Sequence, residues 1–139
     1  FGEILGNKKS PERYNFLLKS IKEICSGEWP ESVLAIHNPS LDSISYPALM
    51  ISKSLPKNTG TVIVKHTNPC GVSIHKNHQR SYKLALACDP ISAFGGIVSC
   101  NFKINKSLVL DLSKIFLEVV IANGFEKEAL KILKKKKNL

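Results

Sequence analysis

The sequence predicts an α/β protein, a mostly parallel sheet with helices packed on its faces. Three observations carry the prediction. Apolar runs at residues 61–64, 96–102 and 118–122 alternate with helical segments of roughly ten residues, the order expected of helices laid over a largely parallel sheet. TVIV (61–64) and EVVIA (118–122) are continuous rather than alternating, which marks strands buried on both faces. The chain has 139 residues, 43% of them hydrophobic and 22% charged, enough for one folded core and unlike a disordered composition.

Taken in order, Ser10 and Pro11 supply a cap and a first-turn proline for a helix over residues 11–24, with Tyr14, Leu17, Leu18, Ile21 and Ile24 on one stripe. From Ser26 to Lys57 four prolines interrupt short apolar pieces, which read as loops, one short strand and one short helix. Gly60 bounds the strand TVIV. Asn77 opens a helix over 78–88, and Asp89-Pro90 closes it because a residue before proline avoids the α region. GIVSCNF (96–102) reads as strand. Asn105 caps the next helix, with Leu108, Leu112, Ile115 and Phe116 on one face. EVVIA is strand, Asn123-Gly124 a turn, and 126–137 a helix with Ala129, Leu130 and Leu133 inward. In a parallel sheet ligands bind beyond the carboxyl ends of the strands, so the segments after Val64, Phe102 and Ala122 are the places to look for chemistry.

No apolar run approaches the ~20 residues that cross a bilayer, and residues 1–9 lack the charged start and apolar stretch of a signal peptide. The reading is intracellular, in the cytoplasm, with no membrane partner. The net charge is +9, yet only Arg13 and Arg80 among the 20 basic residues are arginine; specific base readout leans on arginine, and the few aromatics do not interleave with the lysines. No nucleic-acid partner is expected. A non-catalytic basic module with nucleotide or RNA affinity is the competing reading. No acidic residue lies between Asp42 and Asp89, a field that suits a phosphorylated small molecule. Cys25, Cys70, Cys88 and Cys100 include no Cys-x-x-Cys pair, so they read as packed thiols, with neither a zinc site nor a disulfide framework.

Lys65-His66 stands at the mouth of a buried strand. A nearby cation and partial burial hold an imidazole neutral and able to accept a proton, while Lys65 can stabilise an oxyanion or a phosphate. A solvated lysine beside a histidine bonded to a local carbonyl is the bland alternative. Asn68, Pro69 and Gly71 match positions of a type I turn. In Asp89–Gly96 two glycines let backbone approach a ligand and Phe94 offers a ring for a flat heterocycle; a tight turn alone explains them equally. Glu118 sits in an apolar stretch, read as a strand's exposed start. His37, His75 and His78 read as surface residues. The zinc deaminase signature fails, since Ser73 stands where its second cysteine must be.

The blocks VIVKHTNPCGVSI, ALACDPISAFGGIVSCN and IFLEVVIANGFEKEALKILKKKKNL resemble, in order, the transformylase domain of the bifunctional phosphoribosylaminoimidazolecarboxamide formyltransferase / IMP cyclohydrolase family. The resemblance covers residues from about 50 to 139. It implies a cytidine-deaminase-like subdomain without metal ligands, with residues 46–139 as part of that domain and residues 1–45 unassigned. It implies formyl transfer from 10-formyltetrahydrofolate to the amino group of aminoimidazole carboxamide ribonucleotide, in a homodimer. By resemblance Lys65 and His66 are catalytic, His66 as proton acceptor. Asn68, Phe94, Gly95 and Glu118 are substrate-binding, and Ile91 lies on the folate side. Three departures stand out. Asn123 replaces the family's usual proline, Pro47 follows Ser45-Tyr46 where an asparagine is usual, and residues 1–40 lack the Arg-Tyr-Gly-x-Asn-Pro-His-Gln segment that grips the nucleotide phosphate. The chain starts without Met and stops after a basic helix where an α/β unit turns into its next strand, so a fragment, incomplete at its carboxyl end, is expected.

Overall fold

The computed structural model describes residues 34–37 and 45–135. The helix expected over 11–24 lies outside the described residues. The elements run β1 (Leu34–His37), α1 (Ser45–Ser54), β2 (Gly60–Lys65), β3 (Asn68–Ile74), α2 (His78–Cys88), β4 (Gly96–Cys100), α3 (Lys106–Leu112), β5 (Leu117–Ala122) and α4 (Lys127–Leu133). The α/β class and the short strand and helix expected before residue 57 are both present.

The sheet is mixed, with strand order β1-β5-β4-β2-β3. Among the described strands one neighbouring pair, β4 and β5, is parallel; β2 runs antiparallel to both β3 and β4, and β1 antiparallel to β5. This corrects the expectation of a mostly parallel sheet, and the cause is one strand. Residues 68–74 pair with β2 as a hairpin instead of ending in a type I turn at Asn68-Pro69. Because β3 and β4 both oppose β2, they are parallel to each other, so α2 is the crossover of a β3–α2–β4 unit that passes over β2. The β4–α3–β5 unit joins neighbouring parallel strands.

Alternate residues of the buried strands feed two apolar layers. Val62, Val64, Ile97, Val119 and Ile121 pack with Ala48 and Leu49 of α1. Ile63, Val98, Cys100, Val120 and Ala122 pack with Tyr82 and Ala85 of α2, Leu108 and Leu112 of α3, and Ala129 and Leu133 of α4. The strands therefore have two dry faces, which is what their unbroken apolar runs encode. Asn77 and Asn105 cap α2 and α3 as their spacing demands, each side chain accepting a backbone N–H three residues on. Leu130 is only half-buried in α4, and Ile115 and Phe116 lie beyond the end of α3.

One buried polar residue ties α1 to the sheet. Asn101, just after β4, accepts the N–H groups of Thr59 and Gly60 and donates to the carbonyls of Ser52, Leu55 and Pro56. Its side chain thus satisfies the loose carbonyls at the end of α1 and the first amides of β2.

Candidate active site

The antiparallel β2 decides where the chemistry-bearing residues meet. Val64 pairs with Ile97, and Gly96 with Leu117, so the end of β2 lies beside the starts of β4 and β5. Lys65, His66, Asn68, Gly95 and Glu118 share that edge. Had β2 run parallel to β4, Lys65 would lie at the far edge from Gly95 and Glu118. The segments after Phe102 and Ala122 stand at the opposite edge and are knitted together by backbone bonds, Asn123 N–H to Phe102 O and Ile104 N–H to Gly124 O. They are not part of this group, which corrects the expectation that they flank the same site.

The β2–β3 loop is two residues long, His66-Thr67, closed by the Lys65–Asn68 pair. His66 has φ of 57°, and Thr67 does not share this sign, the pattern of a type II′ turn, whose first position favours glycine. Histidine tolerates this left-handed region better than most residues but still pays strain there. The imidazole is exposed, not partly buried as its place at a strand mouth suggests.

Lys65 turns the other way. Its ammonium donates to the carbonyls of Phe94 at 2.9 Å and Gly95 at 2.8 Å, which leaves one of its three N–H donors uncommitted by these bonds. Glycine is favoured at position 95 by the backbone, and a side chain there would also displace the lysine tip. Gly95 has φ of 66°, and a Cβ on it would lie 2.7 Å from Lys65 Nζ. The Gly95 N–H donates to Phe116 O at 2.8 Å, and the rings of Phe94 and Phe116 tilt against each other with centroids 5.5 Å apart. Upstream, Asp89 accepts the Ser92 N–H; the Ser92 hydroxyl and amide together hold its carboxyl below the usual range. Ile91 and Phe94 remain 87% and 63% exposed, two large apolar side chains on the loop whose Phe94 and Gly95 carbonyls the ammonium holds.

Two β-bulges border the edge. Pairing steps from Gly96↔Leu117 to Ile97↔Val119, so Glu118 is the extra residue, half-buried, and its side chain is re-aimed out of the regular alternation. Pairing steps likewise from Ile63↔Gly71 to Val64↔Pro69, leaving Cys70 as the extra residue of β3. Neither bulge is visible in the sequence, because a single inserted residue leaves an apolar run looking the same.

Cys100 is a buried thiol and Cys70 a half-buried one, whereas Cys88 is exposed, which corrects its reading as packed; Cys25 lies outside the described residues. Burial pushes the Cys100 thiol up to about 12 and also raises that of Cys70, the reverse of what a reactive thiolate needs. Among the described residues no group of three or more His, Cys, Asp or Glu is placed to hold a metal ion, and no helix is long and apolar enough to cross a membrane. His75 accepts the Asn77 N–H. His78 stacks face to face on Phe102 at 3.8 Å and is half-buried, which corrects its reading as a surface residue. His37 belongs to β1.

Fold and edge together define a class: an α/β protein in which an antiparallel hairpin at one side of the sheet brings a Lys-His pair to the same end of the strands as a glycine turn and a carboxylate. The profile of the AICARFT/IMPCHase bienzyme family matches residues 41–139, and the chain belongs to that family. It is 53% identical over 83 residues to the bifunctional purine biosynthesis protein PurH of Prochlorococcus marinus (strain MIT 9515), 54% identical over 83 residues to that of Thermoanaerobacter sp. (strain X514), and 46% identical over 83 residues to that of Petrotoga mobilis. Each of these matches spans 60% of this chain and 16% of the relative.

Proposed function

We propose that this chain carries part of the site that transfers a formyl group from 10-formyltetrahydrofolate to the 5-amino group of aminoimidazole carboxamide ribonucleotide, in de novo purine biosynthesis. The observation that carries the proposal is the convergence of Lys65-His66, Phe94-Gly95 and Glu118 on one sheet edge through an antiparallel β2, within a family whose relatives are named as bifunctional purine biosynthesis proteins.

In this reading the amine nitrogen attacks the formyl carbon, a C–N bond forms, and the carbonyl oxygen takes up negative charge. His66 accepts the proton that the nitrogen must lose, and the free N–H of Lys65 faces the developing charge. Collapse breaks the bond to the folate nitrogen, which leaves with the proton that His66 had taken up. Asn68, Phe94, Gly95 and Glu118 bind the nucleotide, Glu118 through its amide or ribose groups, and exposed Ile91 lines the folate side. The strained backbone of His66 supports the assignment, because a glycine would fit the turn better and would carry no base.

The wider reading places residues 46–139 in a transformylase domain and leaves residues 1–45 unassigned. It makes the fold a cytidine-deaminase-like subdomain, supported by a hairpin whose first strand opposes both neighbours, followed by two α-β units. A homodimer in the cytoplasm completes it. The test is steady-state kinetics of a full-length bifunctional enzyme carrying this segment in place of its own. His66→Ala lowers kcat by roughly 10²- to 10⁴-fold, the range for a positioned base, with a smaller change in KM. Near-normal kcat would remove His66 from the reaction.

A further inference from the structure

We propose that Phe116 is a positioning residue of this site, fixing the Phe94-Gly95 turn that Lys65 grips by its carbonyls. The fixing is read from contacts alone; what the fixed turn then binds rests on the formyl-transfer reading above. Phe116 follows α3 and immediately precedes β5, so its backbone is anchored by the sheet. Its carbonyl accepts the Gly95 N–H at 2.8 Å. Its ring stands 3.6 Å from where a Cβ on Gly95 would lie, and tilts at 52° against the ring of Phe94, an arrangement aromatic pairs favour.

Two residues, one ending β2 and one just before β5, thus hold one two-residue turn. Lys65 takes both of its carbonyls, and Phe116 takes the Gly95 amide and supports the Phe94 ring. The support matters because Phe94 is 63% exposed. A ring with that freedom is ordered by a ligand only at an entropic cost, and a ring braced from behind is presented already ordered. Phe116 touches no reacting atom in this scheme; it acts through Phe94 and Gly95. Loss of its ring is therefore a defect of binding, while His66 and the proton it accepts are left in place.

Two substitutions and two readouts test this. Phe116→Leu keeps an apolar side chain and removes the ring; Phe116→Tyr keeps the ring. In this chain, hydrogen exchange of the Gly95 amide is expected to speed up about tenfold in Phe116→Leu, while Val98 and Val120 keep their protection and Phe116→Tyr matches the parent. In the full-length enzyme carrying this segment, Phe116→Leu is expected to raise KM for the aminoimidazole nucleotide about tenfold with kcat within about twofold, and Phe116→Tyr to restore it. Unchanged exchange at Gly95 overturns the proposal. So does equal loss of protection at Val98 and Val120, which would make Phe116 a general stabiliser, and so does an unchanged KM. A parent enzyme that transfers no formyl group refutes the reaction instead, and the exchange result then decides for or against Phe116 by itself.

Discussion

His66 has a φ of 57° at the first loop position of a two-residue hairpin, where a left-handed backbone costs a non-glycine residue about 1–2 kcal/mol and glycine regains part of that at the expense of its own chain entropy. His66→Gly is therefore expected to stabilise the fold by up to about 1 kcal/mol while removing the side chain proposed as proton acceptor. Thermal unfolding of the two proteins checks it, and a lower Tm for the glycine variant would mean the turn is not strained. Tyr82 poses the opposite question. Its hydroxyl is buried with no hydrogen-bond partner among the described residues, and burial pushes its pKa up to about 12 from a usual 10. With the folded pKa above the unfolded one, its protonated form is a contribution to stability that is complete below pH 10 and is lost as pH rises towards about 12. Tyr82→Phe removes an unsatisfied polar group, so it should be neutral or stabilising near pH 7 and should flatten the alkaline loss. Urea unfolding at pH 8 and pH 10.5 is the comparison; a Phe variant that is clearly weaker at pH 8 would reveal a partner for the hydroxyl.

At the scale of elements, β3 and α2 approach each other closely at Gly71. A Cβ on Gly71 would sit 2.0 Å from the backbone carbonyl oxygen of Ala85, whereas the atom blocking Gly95 is the tip of the Lys65 side chain. Gly71→Ala must push a helix away from a strand, and Gly95→Ala has only to move a flexible ammonium and bear its positive φ. The expected order of destabilisation is Gly71→Ala first, by about 3 kcal/mol or more, and Gly95→Ala by about 1–2 kcal/mol. Chemical denaturation ranks them, and the reverse order would show that α2 yields easily. Hairpin and helix also share buried hydroxyls: Ser81 bonds Thr61 at 2.9 Å and the Thr59 carbonyl at 2.8 Å, and Ser73 donates to the Ser81 carbonyl. This hairpin is where sequence reading stopped short. Helix caps at Asn77 and Asn105 and the apolar runs of β2, β4 and β5 were legible because each is a local signal. The strand β3 was not, since Asn68, Pro69 and Gly71 are turn-forming residues and its exposure alternates weakly. Missing it reversed the direction assigned to β2. The residues proposed for the site can be named by type from the sequence, while their gathering on one edge depends on pairing that no short window of sequence contains.

For the whole molecule, the question is how much of a working site one sheet edge supplies. The chain spans 16% of the length of the relatives it matches. On the edge described here, two of the Lys65 donors are taken by loop carbonyls, and His66, Asn68, Ile91 and Phe94 are exposed. A transferase that adds an amine to a formyl carbon must exclude water and hold two large substrates in a near-attack geometry, the part of catalysis worth roughly 7–11 kcal/mol. An open edge holds reacting groups without enclosing them. The 139-residue chain by itself is therefore expected to transfer formyl groups undetectably or very slowly, even with Lys65 and His66 in place. The measurement is an assay of the isolated chain with 10-formyltetrahydrofolate and the aminoimidazole nucleotide, set beside a full-length enzyme carrying the same segment. Robust turnover by the chain alone would mean that residues 1–45, or a second copy of the chain, close the edge. Slow turnover that returns in the longer protein would assign the missing enclosure to the rest of the polypeptide, and leave this edge as the part that supplies the proton acceptor and the cation beside it.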